Sequence, residues 1–474
     1  MVGDLESRRI GSGGSTLECL RVVANRERAR GRGASVRELL RGLRILIVHA
    51  GGDSRRLPAY GPCGKIFIPV PGARLGAMPL TLFDRLTPGF LDLPEPDGDA
   101  GQTVIAAGDA LLLFDASGIA CARSGMTMLA SQASSEEAAR HGVFCKGEGG
   151  RVRLYLQKPS RAEQEAMGAL DSAGRALLDI GVTNLDEAAA AALLEAFEIG
   201  PAASGDFEWS AEMRSAVLDR GIDLYREICC AMGAEATLAH YLRTVRTAGS
   251  QWSDAALAGL FPRLQAIPFQ VGVLASARFL HFGSTRQLVS SGNALLGAPP
   301  TSTVLLNNQG NQVTGAESWV EGCRLGAALQ LGGRNVVIGI DVDSPLALPA
   351  RAAIDVVPGD GVAFVRCYGV DDSFKDATFC GQPLPAWLEA VGASPADVWD
   401  GDDRTLWTAR VFPAENRAAN YRRWLWMYEP AAASAEQTRA WREASRYSAA
   451  EIARRTDQEA FHRRRTEILQ EAAC

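Results

Sequence analysis

Apolar and polar stretches along the first part of the chain predict strands that lead into loops. Residues 44–50, RILIVHA, form a β-branched apolar run that two glycines follow directly, which is the pattern of a buried strand entering a tight turn. A second apolar run, residues 103–107, ends before a Gly-Asp pair. Both runs are typical of parallel strands whose carboxyl ends carry functional loops.

Helical patterns follow these strands. Residues 134–140, 186–197 and 210–220 are rich in Ala, Glu and Leu at helical spacing. Strands that alternate with helices favour the α/β class. We therefore predict a doubly wound, Rossmann-like domain over residues 1–285.

The sequence changes character from about residue 301. Short Val and Leu segments punctuated by Gly and Asn predict short β rungs and a β-rich domain over residues 286–432. The pattern loosely resembles a β-helix, although no hexapeptide period survives a count. Residues 433–474 predict amphipathic C-terminal helices, in which arginines 463–465 form a solvated face.

Composition places the chain among folded globular proteins. Its 474 residues exceed the usual size of one hydrophobic core, which predicts two or three domains. A net charge of −6, with scattered Lys and Arg, argues against nucleic-acid binding. There is neither a signal pattern nor a run of about 18 apolar residues, so we expect no membrane insertion and a cytoplasmic location. Ten cysteines without zinc-site spacing predict reduced, mostly buried thiols.

The segment after the first strand carries the candidate chemistry. Its glycines allow a ligand to approach the backbone, whose N–H groups can then face phosphate oxygens, while its cations can balance charge as pyrophosphate leaves. The candidate residues are Gly51, Gly52, Ser54, Arg55, Arg56 and Lys65, of which Arg56 and Lys65 are the predicted catalytic pair. The alternative is a Gly-Gly turn with two surface arginines, which the combination of strand, glycines, cations and downstream Gly-Lys disfavours.

Asp109 is the first candidate metal ligand. It follows a strand and Gly108, where a carboxylate can reach a hard divalent ion that bridges phosphates. Mg²⁺ is therefore the expected metal. An Asp at a strand end can equally cap the following turn.

A family resemblance enters with this segment. The run HAGGDSRRLPAYGPCGKIFIPVP resembles the signature of sugar-1-phosphate nucleotidyltransferases, and more closely the guanylyltransferase half of the bifunctional L-fucokinase/L-fucose-1-phosphate guanylyltransferase family. The segments that continue the resemblance, in the order of that family, are GSGGST, AAGDALLLFD, HGVF, LQKPS, DIGV, DLYREICCAMG, HFGSTRQL, RCYGVDDSFK and LWTARVFP. They cover nearly the whole chain, whereas the Gly-rich loop of the kinase half is missing.

The resemblance implies roles for residues outside the loop. It implies sugar-phosphate binding by Gly142, Lys158, Asp179 and Gly181, nucleotide binding by Gly13, Gly14 and Gly108, and Mg²⁺ binding by Asp223 beside Asp109. Lys158 is then the cation on the sugar phosphate, and Asp179 accepts sugar hydroxyl hydrogens. The chain departs from the broader pattern at Gln157, where an acidic residue usually stands, and at Asp179, near the position of an Asn. By itself, the Gly/Ser stretch at 11–16 is more typical of a flexible arm.

The implied reaction joins GTP and L-fucose 1-phosphate to give GDP-L-fucose and pyrophosphate, by direct in-line attack on the α-phosphorus. The alternatives are another sugar or nucleotide, and a non-catalytic GDP-sugar-binding protein. The missing kinase loop predicts no kinase activity. A separately encoded fucokinase is a candidate partner, whose existence the sequence leaves open. Segments 281–286 and 366–375 also match the family, and for them we expect structural support.

Overall fold

The structure is a computed structural model that describes residues 2–50, 54–75, 78–95, 98–115, 119 and 124–473. Contacts within the chain divide it into two units. Unit 1 consists of Met1–His49, Thr87–Ala107 and Leu112–Phe279, and unit 2 consists of Ala50–Leu86, Gly108–Leu111 and Leu280–Cys474. The domain boundaries predicted at residues 285 and 432 stay predictions.

The helices of the described residues are mostly short. The α-helices are α1 (Gly11–Ala29), α2 (Val36–Leu40), α3 (Leu82–Leu91), α4 (Ser135–Ala138), α5 (Arg161–Ala166), α6 (Glu187–Ala196), α7 (Ala211–Arg220), α8 (Cys230–Met232), α9 (Leu238–Thr247), α10 (Asp254–Gln265), α11 (Thr285–Leu296), α12 (Leu384–Ala390), α13 (Ala435–Glu443), α14 (Ala449–Arg455) and α15 (Gln458–Ala473). The 3₁₀ helices are Leu5–Ser7, Pro58–Tyr60, Lys65–Phe67, Glu148–Gly150, Pro395–Asp397, Ala418–Tyr428 and Pro430–Ala432, and Leu224–Cys229 is a π-helix.

The strands fall into longer ones before α11 and shorter ones after it. The first group is β1 (Arg44–His49), β2 (Pro69–Leu75), β3 (Met78–Thr81), β4 (Gln102–Ala107), β5 (Ala110–Phe114), β6 (Met126–Ser134), β7 (Gly142–Lys146), β8 (Val152–Gln157), β9 (Arg175–Asp186), β10 (Ile199–Pro201), β11 (Phe207–Trp209), β12 (Phe269–Val273) and β13 (Ala277–His281). The second group is β14 (Val304–Leu306), β15 (Val313–Thr314), β16 (Trp319–Glu321), β17 (Arg324–Leu325), β18 (Leu329–Leu331), β19 (Val336–Ile338), β20 (Asp341–Val342), β21 (Leu346–Leu348), β22 (Ala352–Gly359), β23 (Val362–Gly369), β24 (Thr378–Phe379), β25 (Gln382–Pro383), β26 (Phe412–Glu415) and β27 (Arg446–Tyr447).

A mixed sheet forms the centre of unit 1, with the strand order β1-β4-β9-β6-β12 and with β7 and β8 continuing from β9. β1 and β4 pair in parallel, with Arg44 opposite Gln102, which confirms the two predicted strands and their common direction. β9 runs antiparallel to both β4 and β6. The class is therefore mixed α/β, with parallel and antiparallel pairs in one sheet.

Side-chain caps explain where the predicted helices of unit 1 begin. An oxygen of each capping residue accepts the backbone N–H three positions later, which satisfies a donor that the helix itself cannot use. The capping residues are Ser134 for α4, Asp186 for α6 and Ser210 for α7. The three helical patterns are confirmed. Apolar side chains of α1, α6 and α10, including Leu17, Leu193 and Leu260, lie in the same core as Met128 of the sheet.

Parallel rungs in the described part of unit 2 confirm the predicted short β segments. In the longest ladder, Val304 lies opposite Trp319, Trp319 opposite Val336, and Val336 opposite Ala353. β15, β18 and β21 form a second parallel ladder, and β17 and β20 a third. Each rung recurs once per coil, and each coil is longer than six residues, so a hexapeptide count finds no period. β23, β26 and β27 extend the first ladder with antiparallel pairs.

The C-terminal segment contains the predicted helices, α13 to α15. The prediction of a solvated face is wrong for Arg465, whose guanidinium is buried and pairs with Glu321, with Nη2 and Oε2 2.7 Å apart. Arg464 also has a partner, because its Nη2 lies 2.6 Å from Asp341 Oδ1. These arginines therefore anchor α15 to the β rungs of unit 2.

Every cysteine within the described ranges is a free thiol, and the majority of them are buried, as predicted. Over the same ranges, each helix is too short or too polar to cross a lipid bilayer.

Candidate active site

The loop after β1 is described from Ser54 onward, because Gly51 and Gly52 lie outside the described residues. Ser54 has a φ of +52°, a left-handed conformation that is uncommon for a residue with a side chain, and its carbonyl accepts the N–H of Leu57 at 2.7 Å. Residues 57–60 are buried, whereas Arg56 is exposed. The loop thus turns sharply, buries its apolar end and leaves a cation accessible.

The two loop arginines have different partners within unit 2. The guanidinium carbon of Arg55 lies 5.4 Å from the centroid of the Trp407 ring, in cation–π geometry. Arg56 Nη2 lies 3.6 Å from Asp109 Oδ2, and the two side chains expose 51% and 27% of their surface. The structure therefore brings a predicted catalytic residue next to a predicted metal ligand, in a place that a ligand can reach.

Residues 281–285, from the HFGSTRQL segment, hold this pair from the other side. The N–H of Phe282 donates to the carbonyl of Asp109 at 2.9 Å, and the N–H of Thr285 donates to the carbonyl of Arg56 at 2.8 Å. A Cβ at Gly283 would stand 2.8 Å from Asp109 Oδ2, closer than real side chains approach. The segment that we expected to give structural support thus positions two of the predicted site residues.

Lys65 and His281 lie close enough to Arg56 and Asp109 for their charges to interact. Lys65 begins the 3₁₀ helix Lys65–Phe67, directly after Gly64 with its φ of +78°. Burial lowers the pKa of His281, the Asp109 carboxylate opposes that change, and Arg56 and Lys65 add to it. Three predicted residues therefore act electrostatically on the imidazole of His281, for whose segment the sequence predicted only structural support.

A buried ion pair fixes the backbone of the loop. Arg366 Nε lies 2.7 Å from Asp355 Oδ1, and its Nη2 donates to the carbonyl of Pro58 at 3.0 Å. The two side chains expose only 2% and 0% of their surface. Because a buried guanidinium needs partners for its charge, this arrangement holds Pro58, two residues after Arg56, in one place.

Tyr60 gives the loop a second anchor. Its hydroxyl donates to Glu321 Oε2 at 3.2 Å and accepts the Trp319 indole N–H at 3.0 Å. Glu321 in turn is paired with Arg465. All four side chains lie in unit 2 and are buried. The loop therefore ends in a satisfied polar network.

Sequence reasoning missed the roles of several unit 2 residues. Thr285, Arg366 and Trp407 each contact the loop, and each belongs to a segment quoted for the family resemblance: HFGSTRQL, RCYGVDDSFK or LWTARVFP. Membership of these segments was the available signal. What the sequence could not supply was the contact itself, since each partner is more than two hundred residues away along the chain.

A cluster in unit 1 joins predicted sugar-phosphate residues. The Tyr155 hydroxyl donates to Asp179 Oδ2 at 2.7 Å, and the Gly181 N–H donates to Asp179 Oδ1 at 2.7 Å. A Cβ at Gly142 would overlap the Tyr155 hydroxyl, so that position has room only for glycine. Burial raises the pKa of Asp179 to about 6, against the effect of the two hydrogen bonds.

Gly181 and Lys158 both have left-handed backbone conformations. The φ of Gly181 is +74°, which suits glycine, and the φ of Lys158 is +50°, which a lysine rarely adopts. The N–H of Lys158 donates to the carbonyl of His141 at 2.9 Å, which fixes the turn after β8. Such strain is often found at functional positions.

Lys158 lies on the wall of a cavity of about 670 Å³ that belongs entirely to unit 1. Asp223 lines the same cavity, as do Gln157 and Arg226. This volume is within the range of small-molecule sites, roughly 300 to 1,000 Å³. The structure therefore places two sequence-predicted residues, Lys158 and Asp223, around a space of the size of a small ligand.

Asp223 also has a structural task. Its Oδ1 accepts the N–H groups of Tyr225 and Arg226, at 3.0 and 2.9 Å, and so caps the π-helix Leu224–Cys229. These bonds engage one carboxylate oxygen. Its predicted role as a metal ligand stays a prediction.

The Gly/Ser stretch at 11–16 is not a flexible arm, because it forms the first turns of α1. The N–H groups of Gly13 and Gly14 donate to the Ile222 carbonyl at 2.9 and 3.2 Å, and a Cβ at Gly13 would stand 2.7 Å from the Ile222 side chain. Close packing on Ile222 is therefore one reason for these glycines. Their predicted role in nucleotide binding stays a prediction.

Comparison with known proteins shows the family to which this chain belongs. The family model described as the fucose pyrophosphorylase domain matches residues 37–417, most of the chain. The chain belongs to this family.

Curated relatives carry consistent names. The L-fucokinase/L-fucose-1-P guanylyltransferase of Bacteroides fragilis is 27% identical over 445 residues, which cover 87% of this chain and 42% of the relative. The bifunctional fucokinase/GDP-fucose pyrophosphorylase of Arabidopsis thaliana is 26% identical, with 87% and 43% covered. The fucose-1-phosphate guanylyltransferase of Homo sapiens is 24% identical, with 86% and 75% covered. This chain thus spans less than half the length of the two bifunctional relatives.

In this fucose pyrophosphorylase domain, the predicted residues divide between the units. Unit 2 contains Ser54, Arg55, Arg56, Lys65, Gly108 and Asp109, and unit 1 contains Gly13, Gly14, Gly142, Lys158, Asp179, Gly181 and Asp223. Unit 2 brings Arg56 and Asp109 into one ion pair, and unit 1 joins Asp179 and Gly181 by a hydrogen bond. Each unit therefore carries its own group of candidate residues.

Proposed function

We propose that this chain transfers a guanylyl group from GTP to L-fucose 1-phosphate, which gives GDP-L-fucose and pyrophosphate. The observation that carries the proposal is the family match over residues 37–417. The names of the relatives from Homo sapiens and Mus musculus, both fucose-1-phosphate guanylyltransferase, support this choice of sugar and nucleotide.

The proposed chemistry is a direct in-line displacement. An oxygen of the sugar phosphate attacks the α-phosphorus of GTP, a new P–O bond forms, and the bond between the α-phosphorus and the oxygen bridging to the β-phosphate breaks. Both electrons of that bond leave with pyrophosphate. Because the attacking oxygen is already anionic, the protein has to align the substrates and stabilise charge, and no general base is required.

The residues of unit 2 suit the charge-stabilising part of this task. We propose that Arg56 and Lys65 balance the charge that develops on the leaving pyrophosphate, and that the loop backbone cradles the triphosphate. The Arg366–Asp355 pair and the Tyr60 network support this assignment, since donors that are already fixed before the reaction stabilise a transition state best.

The residues of unit 1 suit recognition of the sugar phosphate. We propose that Lys158 binds the phosphate, because its side chain is exposed at the wall of the unit 1 cavity. Asp179 is buried and accepts from Tyr155 and Gly181, so we propose that it acts on the sugar mainly through the Gly181 backbone that it holds.

Mg²⁺ is the proposed cofactor, with Asp109 as its protein ligand. Mg²⁺ is usually held by one or two carboxylates together with substrate phosphates. Within the described residues, no group of three or more His, Cys, Asp or Glu side chains could hold a metal alone, so the ion would depend on the triphosphate. The partly exposed Asp109 carboxylate fits that demand, and Asp223 has one oxygen outside its capping bonds. When bound, Mg²⁺ would neutralise phosphate charge.

We also propose the finer fold assignments. The parallel β1–β4 pair, with the loop directly after β1, supports a Rossmann-like nucleotidyltransferase domain. The coil-by-coil stacking of β14, β16 and β19 supports a β-helix-like arrangement in unit 2.

A substrate panel tests the proposed function. The full chain is incubated with Mg²⁺, each of ATP, GTP, CTP and UTP, and a set of sugar 1-phosphates, and released pyrophosphate is measured. We expect the highest kcat/KM for GTP with L-fucose 1-phosphate. A clear preference for another pair would replace the substrates and keep the reaction class.

Two other outcomes would change the class itself. Transfer of phosphate from ATP to free L-fucose would identify a kinase and contradict the prediction of no kinase activity. Tight binding of GDP-L-fucose with no pyrophosphate from any pair would instead identify a non-catalytic binding protein.

A further inference from the structure

One face of α9 borders the unit 1 cavity. His240, Arg243, Thr244 and Thr247 recur at helical spacing and all line the cavity. On the other side of the helix, Tyr241 and Val245 are buried in the core of unit 1. The polar side chains of α9 are therefore oriented toward the cavity by the core packing of the same helix.

Arg226 approaches the cavity from the π-helix Leu224–Cys229. Its Nε lies 2.7 Å from Oε1 of the buried Glu227, and its Nη1 donates to the carbonyl of Ala248 at 3.1 Å. These two bonds fix the guanidinium and leave Nη2 for another acceptor. π-helical turns are rare and occur frequently at functional sites.

The charges around the cavity are unequally satisfied. Glu163 Oε2 accepts the N–H and the hydroxyl of Ser160, and Asp223 Oδ1 accepts two backbone N–H groups. By contrast, neither the Lys158 ammonium nor the Arg243 guanidinium has a hydrogen bond or ion pair among the residues that the structure describes. The unused capacity is therefore cationic, which favours an anionic ligand.

We propose that Arg226 and Arg243 join Lys158 in binding the phosphate of the sugar 1-phosphate, and so determine the selectivity for a phosphorylated sugar. The inference rests on the proposed function and adds two residues that neither the family resemblance nor the loop motif assigns. A guanidinium presents paired donors to phosphate oxygens, whereas a lysine alone supplies a single mobile charge.

Neutral groups beside the cations suit the sugar part of the same ligand. Burial, together with the charge of Arg243, lowers the pKa of His240, which favours the neutral form of its imidazole. Gln157 also lines the cavity, and its buried Oε1 has no hydrogen-bond partner within the described residues. A buried polar atom without a partner is unfavourable, and after a small rotation this amide could serve a sugar hydroxyl.

Arg243→Ala tests the proposal most directly. Binding of L-fucose 1-phosphate and of free L-fucose to the full chain is measured by calorimetry, and KM is measured separately for L-fucose 1-phosphate and GTP. Because a hydrogen bond to a charged group is lost, we expect roughly a tenfold weaker Kd and higher KM for the sugar phosphate. We expect the KM for GTP to stay within twofold, and Arg243→Lys to recover part of the loss.

Two further variants separate binding from folding. Arg226→Lys keeps the charge beside Glu227 and removes the guanidinium fork, so it should fold and raise the KM for the sugar phosphate several-fold. Arg246→Ala is the matched control, since Arg246 lies on the same helix, pairs with Asp254 and does not line the cavity. This control should leave both KM values within twofold.

The outcomes distinguish this inference from the proposed function. An active wild type whose KM for L-fucose 1-phosphate is unchanged in Arg243→Ala and Arg226→Lys would overturn the inference alone. A wild type that binds L-fucose 1-phosphate through Arg243 but forms no GDP-L-fucose would overturn the proposed function alone. Failure of the wild type to bind L-fucose 1-phosphate at all would overturn the inference.

Discussion

The loop of unit 2 and the cavity of unit 1 hold their candidate residues by opposite means. Behind the loop the anchoring charges are buried, as in the Arg366–Asp355 pair, which exposes 2% and 0% of the two side chains. Around the cavity the cations Lys158 and Arg243 are exposed, and no described residue pairs with either of them. The buried charges behind the loop stabilise its structure, whereas the exposed cations Lys158 and Arg243 at the cavity are available to a ligand.

This difference predicts whether a substitution in each region changes the stability of the protein or its affinity for a substrate. A buried charge that loses its partner is strongly unfavourable, so substitutions behind the loop should lower the free energy of unfolding. An exposed cation contributes little to folding, so substitutions at the cavity should change substrate affinity instead. The comparison would fail if a substitution behind the loop changed only substrate affinity, or if a substitution at the cavity changed mainly the free energy of unfolding.

Arg366→Ala should give the largest effect on stability. It removes the partner of the buried Asp355 and the donor to the Pro58 carbonyl. We expect the free energy of unfolding to fall by about 3–5 kcal/mol, measured by urea denaturation. Turnover should fall too wherever the variant remains folded, since the loop backbone loses its anchor.

Two variants control for this effect. Asp371→Asn removes a comparable but exposed pair with Arg351, and should cost less than about 1 kcal/mol. The double variant Arg366→Met with Asp355→Leu should be more stable than Arg366→Ala, because no buried charge is left alone. Equal losses from Arg366→Ala and Asp371→Asn would show that the buried pair is not an anchor.

Asp179 is a predicted site residue of unit 1 whose ionisable side chain is buried. It therefore tests whether a buried charge affects stability in unit 1 as it does in unit 2. Burial raises its pKa to about 6 in the folded protein, from 3.8. The folded state therefore holds the proton more tightly, so the stabilisation is complete below about pH 4 and is lost as pH rises through 6. Relative to Asp179→Asn, the wild type should lose up to about 3 kcal/mol between pH 4 and pH 8.

Urea denaturation of both proteins at several pH values checks this. Taking the difference between the two proteins cancels the titration of all other groups. Asp171→Asn serves as a control, because the backbone N–H of Arg175 lowers the pKa of the exposed Asp171, so its stabilising effect is already present above pH 4. A wild type that parallels Asp179→Asn from pH 4 to pH 8 would rule out a raised pKa.

Local patterns in the sequence were sufficient for much of the fold. The strands β1 and β4 follow from apolar runs, and the helices α4, α6 and α7 follow from helical spacing. The short rungs of unit 2 follow from Val and Leu segments separated by Gly and Asn. The direction of β9 did not follow, because a strand's side-chain pattern is the same whichever way it runs in the sheet. The burial of Arg465 did not follow either, since its partner Glu321 is 144 residues away.

The candidate site likewise has a part that the sequence predicted and a part that only the structure shows. The sequence singled out Arg56 and Asp109, and the structure places them in one ion pair. The sequence could not indicate that Thr285 and Arg366 hold the backbone of the same loop. Both residues donate hydrogen bonds to backbone carbonyls, and every residue has such a carbonyl whatever its side chain. The sequence motif named the residues predicted to touch a ligand, whereas the contacts of Thr285 and Arg366 with the loop became visible only in the structure.

Arg56→Ala tests whether the loop of unit 2 supplies charge to the reaction. Arg56 exposes half of its side chain, so its loss should leave the free energy of unfolding within about 1 kcal/mol. If Arg56 stabilises the transition state, kcat/KM should fall roughly a hundredfold, about 2.7 kcal/mol. Arg404→Ala, an exposed arginine of the same unit, is the control. A change below threefold would remove Arg56 from the mechanism.

Gly283→Ala should have the smallest effect on the reaction. It changes the position of the Asp109 carboxylate without removing any charge of the loop. The new Cβ would stand 2.8 Å from Asp109 Oδ2, so the carboxylate has to move while every charge of the loop is retained. We expect kcat to fall roughly tenfold, because misplaced catalytic groups lose alignment, with a stability change below about 1 kcal/mol. Gly401→Ala is the matched control, since open space surrounds that glycine. If kcat is the same in both variants, the position of Asp109 does not limit the reaction, and the rigid support of the loop serves folding alone.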